Sequence, residues 1–153
     1  RLMSRGLGDV YKRQRLQNMG TPDYLISAAC QLVVAQRLAR KNCKDCKVPD
    51  DDVTPKVLQD LGFTAEVASR VKAIKGKGCP KCKDTGYKGR QGIYEILSVS
   101  KPLKEAILRQ ATTPELREIA VKEGFQTMQD MGRRLIASGD LNFREYERVL
   151  SEG

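Results

Sequence analysis

A chain of 153 residues and 17.1 kDa is long enough for one domain with a real core or for two small subdomains, and too short for most multidomain enzymes. Its net charge of +9 accompanies 40% hydrophobic residues, a balance found in folded chains rather than disordered ones. It contains no histidine, which excludes imidazole general bases, Ser/His/Asp and Cys/His couples and His-containing metal sites, so any metal must be held by sulfur or carboxylate. No apolar run approaches the roughly 20 residues that span a bilayer, and the opening RLMSRGLGDVYKRQ lacks the apolar core of a secretory signal. A cytoplasmic protein is the expectation. The first residue is Arg1 rather than methionine, which reads as a piece cut from a longer chain.

The basic excess sits at the front. Residues 1–47 carry ten basic and three acidic groups, whereas residues 99–153 balance at nine and nine. Residues 1–14 have neither helical nor strand periodicity and are expected to form a disordered or non-native tail. From there on, a Thr-Pro pair recurs as a helix start, an N-cap followed by proline at the first helical position, at Thr21-Pro22, Thr54-Pro55 and Thr113-Pro114. The first is expected to open a helix from Pro22 to about Gln31, with Leu25, Ile26, Ala29 and Leu32 on one side. The following run, LVVAQRLAR, fits either a continued helix or a buried strand, and periodicity alone favours helix.

The second start opens a short helix closed by Gly62, and Thr64 caps another reaching about Ala73. Gly76, Gly78, Gly86, Gly89 and Gly92 then mark loops and tight turns, ending in a strand from Gln91 to Leu97. Four helices follow: Ser100 caps KPLKEAILRQ, Thr113 caps PELREIAVKE with Gly124 behind it, Thr127 opens MQDMGRRLIAS with Gly139 behind it, and Asn142 opens FREYERVL with Glu145 completing a capping box. Their apolar residues, from Leu103, Ile107 and Leu108 to Tyr146, Val149 and Leu150, recur at three- and four-residue spacings, the pattern of a small bundle core.

Four of the five cysteines form two Cys-x-x-Cys pairs, Cys43 with Cys46 and Cys79 with Cys82. Two thiolates at this spacing in a tight turn can face one ion, and two such knuckles complete a tetrahedral zinc site. The 32 residues between them leave room for a helical insert. Lys44, Lys47, Lys81 and Lys83 flank the sulfurs, which favours thiolates and offsets the charge of a tetrathiolate site. Three other readings stand beside zinc: paired disulfides, which need an oxidising compartment, a thioredoxin-like redox pair, and four unlinked core cysteines. A site closed by four protein ligands has no open position for catalysis. Cys30, unpaired among Ala28, Ala29 and Leu32, reads as a small core residue. Near the second knuckle, Lys83, Tyr87, Lys88, Arg90 and Tyr94 read as a solvated turn with Tyr94 half-buried, or as a contact surface for an acidic partner or a neighbouring subunit.

The strings RLQNMGTPDYLISAACQLVVAQRLARKNCKDCK and GCPKCKDTGYKGRQGIYEIL, with the tail EGFQTMQDMGRRLIASGDLNFREYERVL, closely resemble the C-terminal part of the hexameric secretion ATPases of type II secretion and type IV pilus assembly, the GspE and PilB kind. The resemblance covers Arg15 to about Leu150. It implies an α/β fragment in four parts: the tail 1–14, the end of a RecA-like ATPase core (helix plus strand) at 15–41, a tetracysteine zinc-binding subdomain at 42–98, and a C-terminal helical subdomain at 99–153. It also turns Leu32–Arg40 into a terminal strand of the RecA-like sheet. ATP and Mg2+ would belong to the parent chain alone, since no G-x-x-x-x-G-K-[ST] phosphate loop occurs in these residues.

The resemblance further implies Cys43, Cys46, Cys79 and Cys82 as structural zinc ligands with no catalytic residue among them. It implies neighbouring subunits of a homo-hexamer and an inner-membrane platform or accessory protein as partners, with no nucleic acid expected. A stand-alone zinc-ribbon module, binding nucleic acid or acting as a co-chaperone, is the rival reading. Either pilus assembly or protein export fits the pattern.

Overall fold

The computed structural model describes residues 19–20 and 22–150. The Thr21 cap and the tail 1–14 lie outside the described residues. In chain order the elements are α1 (Asp23–Ala29), β1 (Leu32–Asn42), β2 (Lys47–Pro49), α2 (Pro55–Asp60), α3 (Ala65–Arg70), β3 (Ile74–Gly76), β4 (Tyr87–Ser98), α4 (Lys101–Leu108), α5 (Thr113–Lys122), α6 (Met128–Ala137) and α7 (Phe143–Leu150). Short 3-10 turns at Lys44–Cys46 and Pro80–Cys82 interrupt the strands. β1 pairs with β4 in one two-stranded sheet and β2 with β3 in another, the latter antiparallel with Lys47 opposite Gly76 and Pro49 opposite Ile74.

The chain divides into two compact units. The first holds α1, the start of β1 to Gln36, the end of β4 from Tyr94, and α4 and α5. Its core is Val99, Leu103, Ala106, Ile107 and Leu116, with Cys30, Val33, Leu97 and Ile119 packed around them. The second runs from Arg37 to Ile93 and resumes at Met128, so it contains both cysteine knuckles, the insert between them, and α6 and α7. Leu58, Ile93, Ile136 and Leu141 are fully buried there. This division does not follow the boundaries drawn from the sequence at 41/42 and 98/99: the last four helices are shared between the units, two in each.

LVVAQRLAR is a strand, against its helical periodicity. Exposure alternates along it, with Leu32, Val34 and Leu38 outward and Val33 and Ala39 inward, which a period of two requires. The helix before it is correspondingly short, and the side expected to be buried is not: Leu25, Ala29 and Leu32 are exposed, and Cys30 meets the core instead. Ile26 lies outside the described side chains. α3 stops at Arg70 rather than near Ala73, because Val71 turns extended and the Ala73 carbonyl accepts from the Asp50 N–H as the chain enters β3.

Thr54, Thr64 and Ser100 cap α2, α3 and α4 through their hydroxyls. At α5 the cap is Thr112, one residue earlier than the Thr-Pro rule places it. The Glu115 carboxylate accepts from both the N–H and the hydroxyl of Thr112, at 2.7 and 2.8 Å, a capping box that outweighs the proline signal. Leu108, expected in the bundle core, is 53% exposed.

Candidate metal centre

Each knuckle is built by a short turn. In the first, Cys43 leads into the 3-10 turn Lys44–Cys46, and the Cys46 N–H returns to the Cys43 carbonyl. In the second, Pro80 starts the turn with its φ already fixed, and Lys83 and Asp84 take left-handed conformations at φ 52 and 56°. The chain entering and the chain leaving the second knuckle meet at glycines: a Cβ on Gly76 would stand 2.6 Å from the Gly86 carbonyl carbon. Gly86 itself has φ +76°, and its carbonyl accepts from the Cys43 N–H at 2.8 Å. The Lys77 N–H donates to the Cys46 carbonyl, closing the pair from the other side.

The result brings the Sγ atoms of Cys43, Cys46, Cys79 and Cys82 within 4.8 Å of one another. Cys43 to Cys79 and Cys46 to Cys82 are 3.9 Å, and Cys79 to Cys82 is 3.6 Å. A tetrahedron with Zn–S of about 2.3 Å sets its sulfurs about 3.8 Å apart, so the donor set and its spacing fit zinc. A disulfide needs S–S of about 2.05 Å, and all five cysteines are free.

Two of the sulfurs, Cys82 and Cys46, sit in opposite fields. Burial raises Cys82, but the N–H groups of Cys79 and Gly86, each 3.2 Å from its sulfur, more than offset that and bring it down to about 6. Cys46 is pushed up to about 12 by burial, which the Gly78 N–H only partly counters. Two of the flanking lysines are also engaged by carboxylates. Lys81 pairs with Asp45 at 2.6 Å, tying one knuckle to the other, and Lys47 pairs with Asp140 at 3.2 Å. Asp45 is held below the usual carboxylate range chiefly by the Lys81 hydrogen bond.

Behind the first knuckle lies a polar network that the sequence reading misses. Asn42 is 1% exposed, and its amide donates to the carbonyls of Ile74 and Gly139 at 2.9 and 3.1 Å. The Asn142 amide donates to the Asn42 side-chain oxygen at 3.1 Å and to the Tyr87 hydroxyl at 3.0 Å. Asn142 also accepts from the Glu145 N–H, so half of the expected capping box is present. The other half is redirected. The Glu145 carboxylate, fully buried, accepts from the Arg40 N–H at 2.8 Å, from the Arg40 guanidinium at 2.7 and 3.0 Å, and from Arg148. Burial raises its pKa, yet the hydrogen bonds from Arg148 and Arg40 prevail and hold it at about 2. The Arg40 guanidinium lies over the Tyr87 ring at 4.1 Å.

Of the five residues read near the second knuckle, Tyr87 is thus committed to this network, Lys83, Lys88 and Arg90 are exposed, and Tyr94 is 40% exposed. Among the described residues no helix is long and apolar enough to cross a membrane.

The profile of the type II/IV secretion system protein family matches residues 10–148, starting ahead of the boundary expected at residue 15. The type IV pilus assembly ATPase PilB of Myxococcus xanthus is 34% identical over 131 residues, 86% of this chain and 23% of that protein. PilB of Thermus thermophilus is 39% identical over 121 residues, 77% of this chain and 13% of its own. The type II secretion system ATPase E of Vibrio cholerae is 34% identical over 138 residues, 90% of this chain and 27% of its own. The chain therefore spans between 13% and 27% of the length of these relatives. A mixed helix-and-strand fold carrying a tetracysteine cluster, matched along most of its length, belongs to the type II/IV secretion system protein family.

Proposed function

We propose that this chain is the carboxyl-terminal portion of an ATPase that drives type IV pilus assembly or type II protein secretion, and that it couples the ATPase core to partner proteins rather than turning over ATP itself. The convergence of Cys43, Cys46, Cys79 and Cys82 on a chain of this family carries the reading. Zinc held by these four residues supplies four Zn–S bonds and no open coordination position, so its contribution is folding energy. The insert between the knuckles has most use for it: its two short strands and two six-residue helices bury little beyond Leu58, Ala68 and Ala73.

Residues 15–41 supply the helix and strand that end a RecA-like core, and the C-terminal helices pack against that core and neighbouring subunits of a homo-hexamer. Domain movements upstream are then passed, as rigid-body motion, to an inner-membrane platform or accessory protein from the cytoplasmic side. The sequence lacks the Gly-rich loop, its lysine and its magnesium-binding hydroxyl together. The isolated chain therefore hydrolyses no ATP. The test compares it with the full-length ATPase that carries it. Turnover by the full-length protein alone is expected, with loss of both metal and assembly or secretion output on Cys79→Ser in that protein. Turnover by the isolated chain, or full output from a metal-free variant, would contradict this reading.

A further inference from the structure

The knuckles carry a charge that nothing in the metal site requires. Segments 41–47 and 75–90 hold nine lysines and arginines against Asp45 and Asp84, whereas residues 48–74 between them are net acidic, with five carboxylates against three cations. A zinc ion with four thiolates carries −2, so the knuckle surface stays strongly positive after neutralising it. Part of the excess is spent internally, as Lys47 serves Asp140, Lys75 serves Asp50 and Asp52, and Lys81 serves Asp45. Lys44, Lys77 and Lys83 are exposed, each within two residues of a cysteine of the cluster, and among the described residues none is in an ion pair. Lys88, also exposed, adds its field to Asp45.

These charges are mounted rigidly. Lys44 stands in the first 3-10 turn, the Lys77 N–H is bonded to the Cys46 carbonyl, and Lys83 is fixed at φ 52° immediately after Cys82. A partner therefore meets lysines carried on ordered backbone rather than a floppy basic tail, so the backbone part of the ordering cost is not paid on binding.

Three classes of anion could meet them. Single-stranded nucleic acid needs aromatic platforms, but the one tyrosine in these segments, Tyr87, is covered by Arg40 on its ring and held by Asn142 at its hydroxyl. A membrane-surface element pairs its lysines with apolar side chains that enter the acyl boundary, and none of the exposed large hydrophobic residues lies in 41–47 or 75–90. An acidic polypeptide needs neither, only charge of the opposite sign presented at matching positions.

We propose that the lysine surface around the cysteine knuckles, centred on Lys44, Lys77, Lys83 and Lys88, docks an acidic segment of a partner protein. This rests on the coupling role proposed above and specifies the chemistry of the partner it engages. The contact forms fast and weakens steeply with salt, because the charges are exposed.

The test titrates a fluorescein-labelled, glutamate-rich peptide of about 20 residues into the zinc-supplemented full chain at low and physiological salt. Two variants are compared with it. One carries Lys44→Gln, Lys77→Gln, Lys83→Gln and Lys88→Gln; the other makes the same change at Lys56, Lys72, Lys101 and Lys122, all exposed and outside segments 41–47 and 75–90. Zinc per chain and circular dichroism are read on each protein. The expected result is about tenfold weaker peptide binding for the knuckle variant and little change for the other. Equal weakening in both overturns the proposal, because net charge alone then accounts for binding. So does a dependence on the four knuckle lysines seen only with vesicles of equal parts phosphatidylcholine and phosphatidylserine, or only with oligothymidylate. Should the fourfold variant lose its fold, the single substitutions Lys77→Gln and Lys83→Gln, each expected to weaken the peptide, decide the matter. Full zinc content with no selective loss of peptide refutes this inference and leaves the metal staple standing, whereas a metal-free folded chain refutes the staple.

Discussion

Glu145→Gln keeps the volume of a fully buried side chain while removing the charge that two guanidiniums share. Deleting one partner of a buried ion pair costs about 3–5 kcal/mol. Here the Arg40 and Arg148 side chains are 50% and 54% exposed, so water recovers part of their hydrogen bonding and the loss falls to about 2–3 kcal/mol. The titration of Glu145 gives the same order: a carboxyl drawn from 4.5 to about 2 corresponds to about 3 kcal/mol. Because the folded-state value is depressed, this stability is complete above the unfolded value of 4.5 and is lost as pH falls through about 2. Urea unfolding at pH 7 should show the variant's midpoint lowered by about 1 M with an unchanged slope. Repeated between pH 4.5 and 2, the gap between the two proteins should close, since the native protein alone has this contribution to lose. Acid also releases the metal on which the fold around the knuckles is proposed to depend, so the series stops at the lowest pH at which zinc per chain is unchanged. A midpoint shift below about 0.3 M, or a gap that persists at the lowest pH, would refute the assignment of Glu145 as the buried anchor of the C-terminal helix.

Three further substitutions probe the packing. Gly86→Ala adds a Cβ against the Gly76 backbone at a φ of +76°, and should lower thermal stability by about 2 kcal/mol or more while weakening zinc retention in a competition with a chromophoric chelator. Gly132→Ala should destabilise despite alanine's better helix propensity, because its Cβ would lie 2.7 Å from the Tyr146 ring where α6 meets α7; a raised melting temperature would contradict the contact. Asn142→Ala removes the link between Asn42, Tyr87 and the Glu145 N–H, and should cost about 2–3 kcal/mol in denaturant unfolding.

What could be read in advance was what is local. The two Cys-x-x-Cys pairs announce their turns within four residues each, and Thr54, Thr64 and Ser100 announce their helices within three. The strand from Leu32 was harder, because an exposed apolar face of Leu32, Val34 and Leu38 disguises an alternation that would otherwise be plain. Thr112 was missed because Thr113-Pro114 carries one valid start signal and Thr112 with Glu115 carries another, and only the carboxylate's geometry separates them. The network behind the knuckle was out of reach for a different reason: Arg40 and Glu145 are 105 residues apart and Asn42 and Asn142 are 100 apart, and no short-range pattern encodes such a pairing. The capping-box spacing at Asn142 did point to Glu145, though not to the arginines that claim its carboxylate.

On the function proposed above, the four cysteines hold one metal ion and the fold around the knuckles depends on it. Zinc per chain should be measured on protein grown in zinc-supplemented medium, with circular dichroism before and after chelation and Cys79→Ser in parallel. One zinc per chain, released together with structure on chelation and missing from the variant, is the predicted result. A chain that is fully folded without metal, or that keeps its structure when the metal is stripped, would contradict the account.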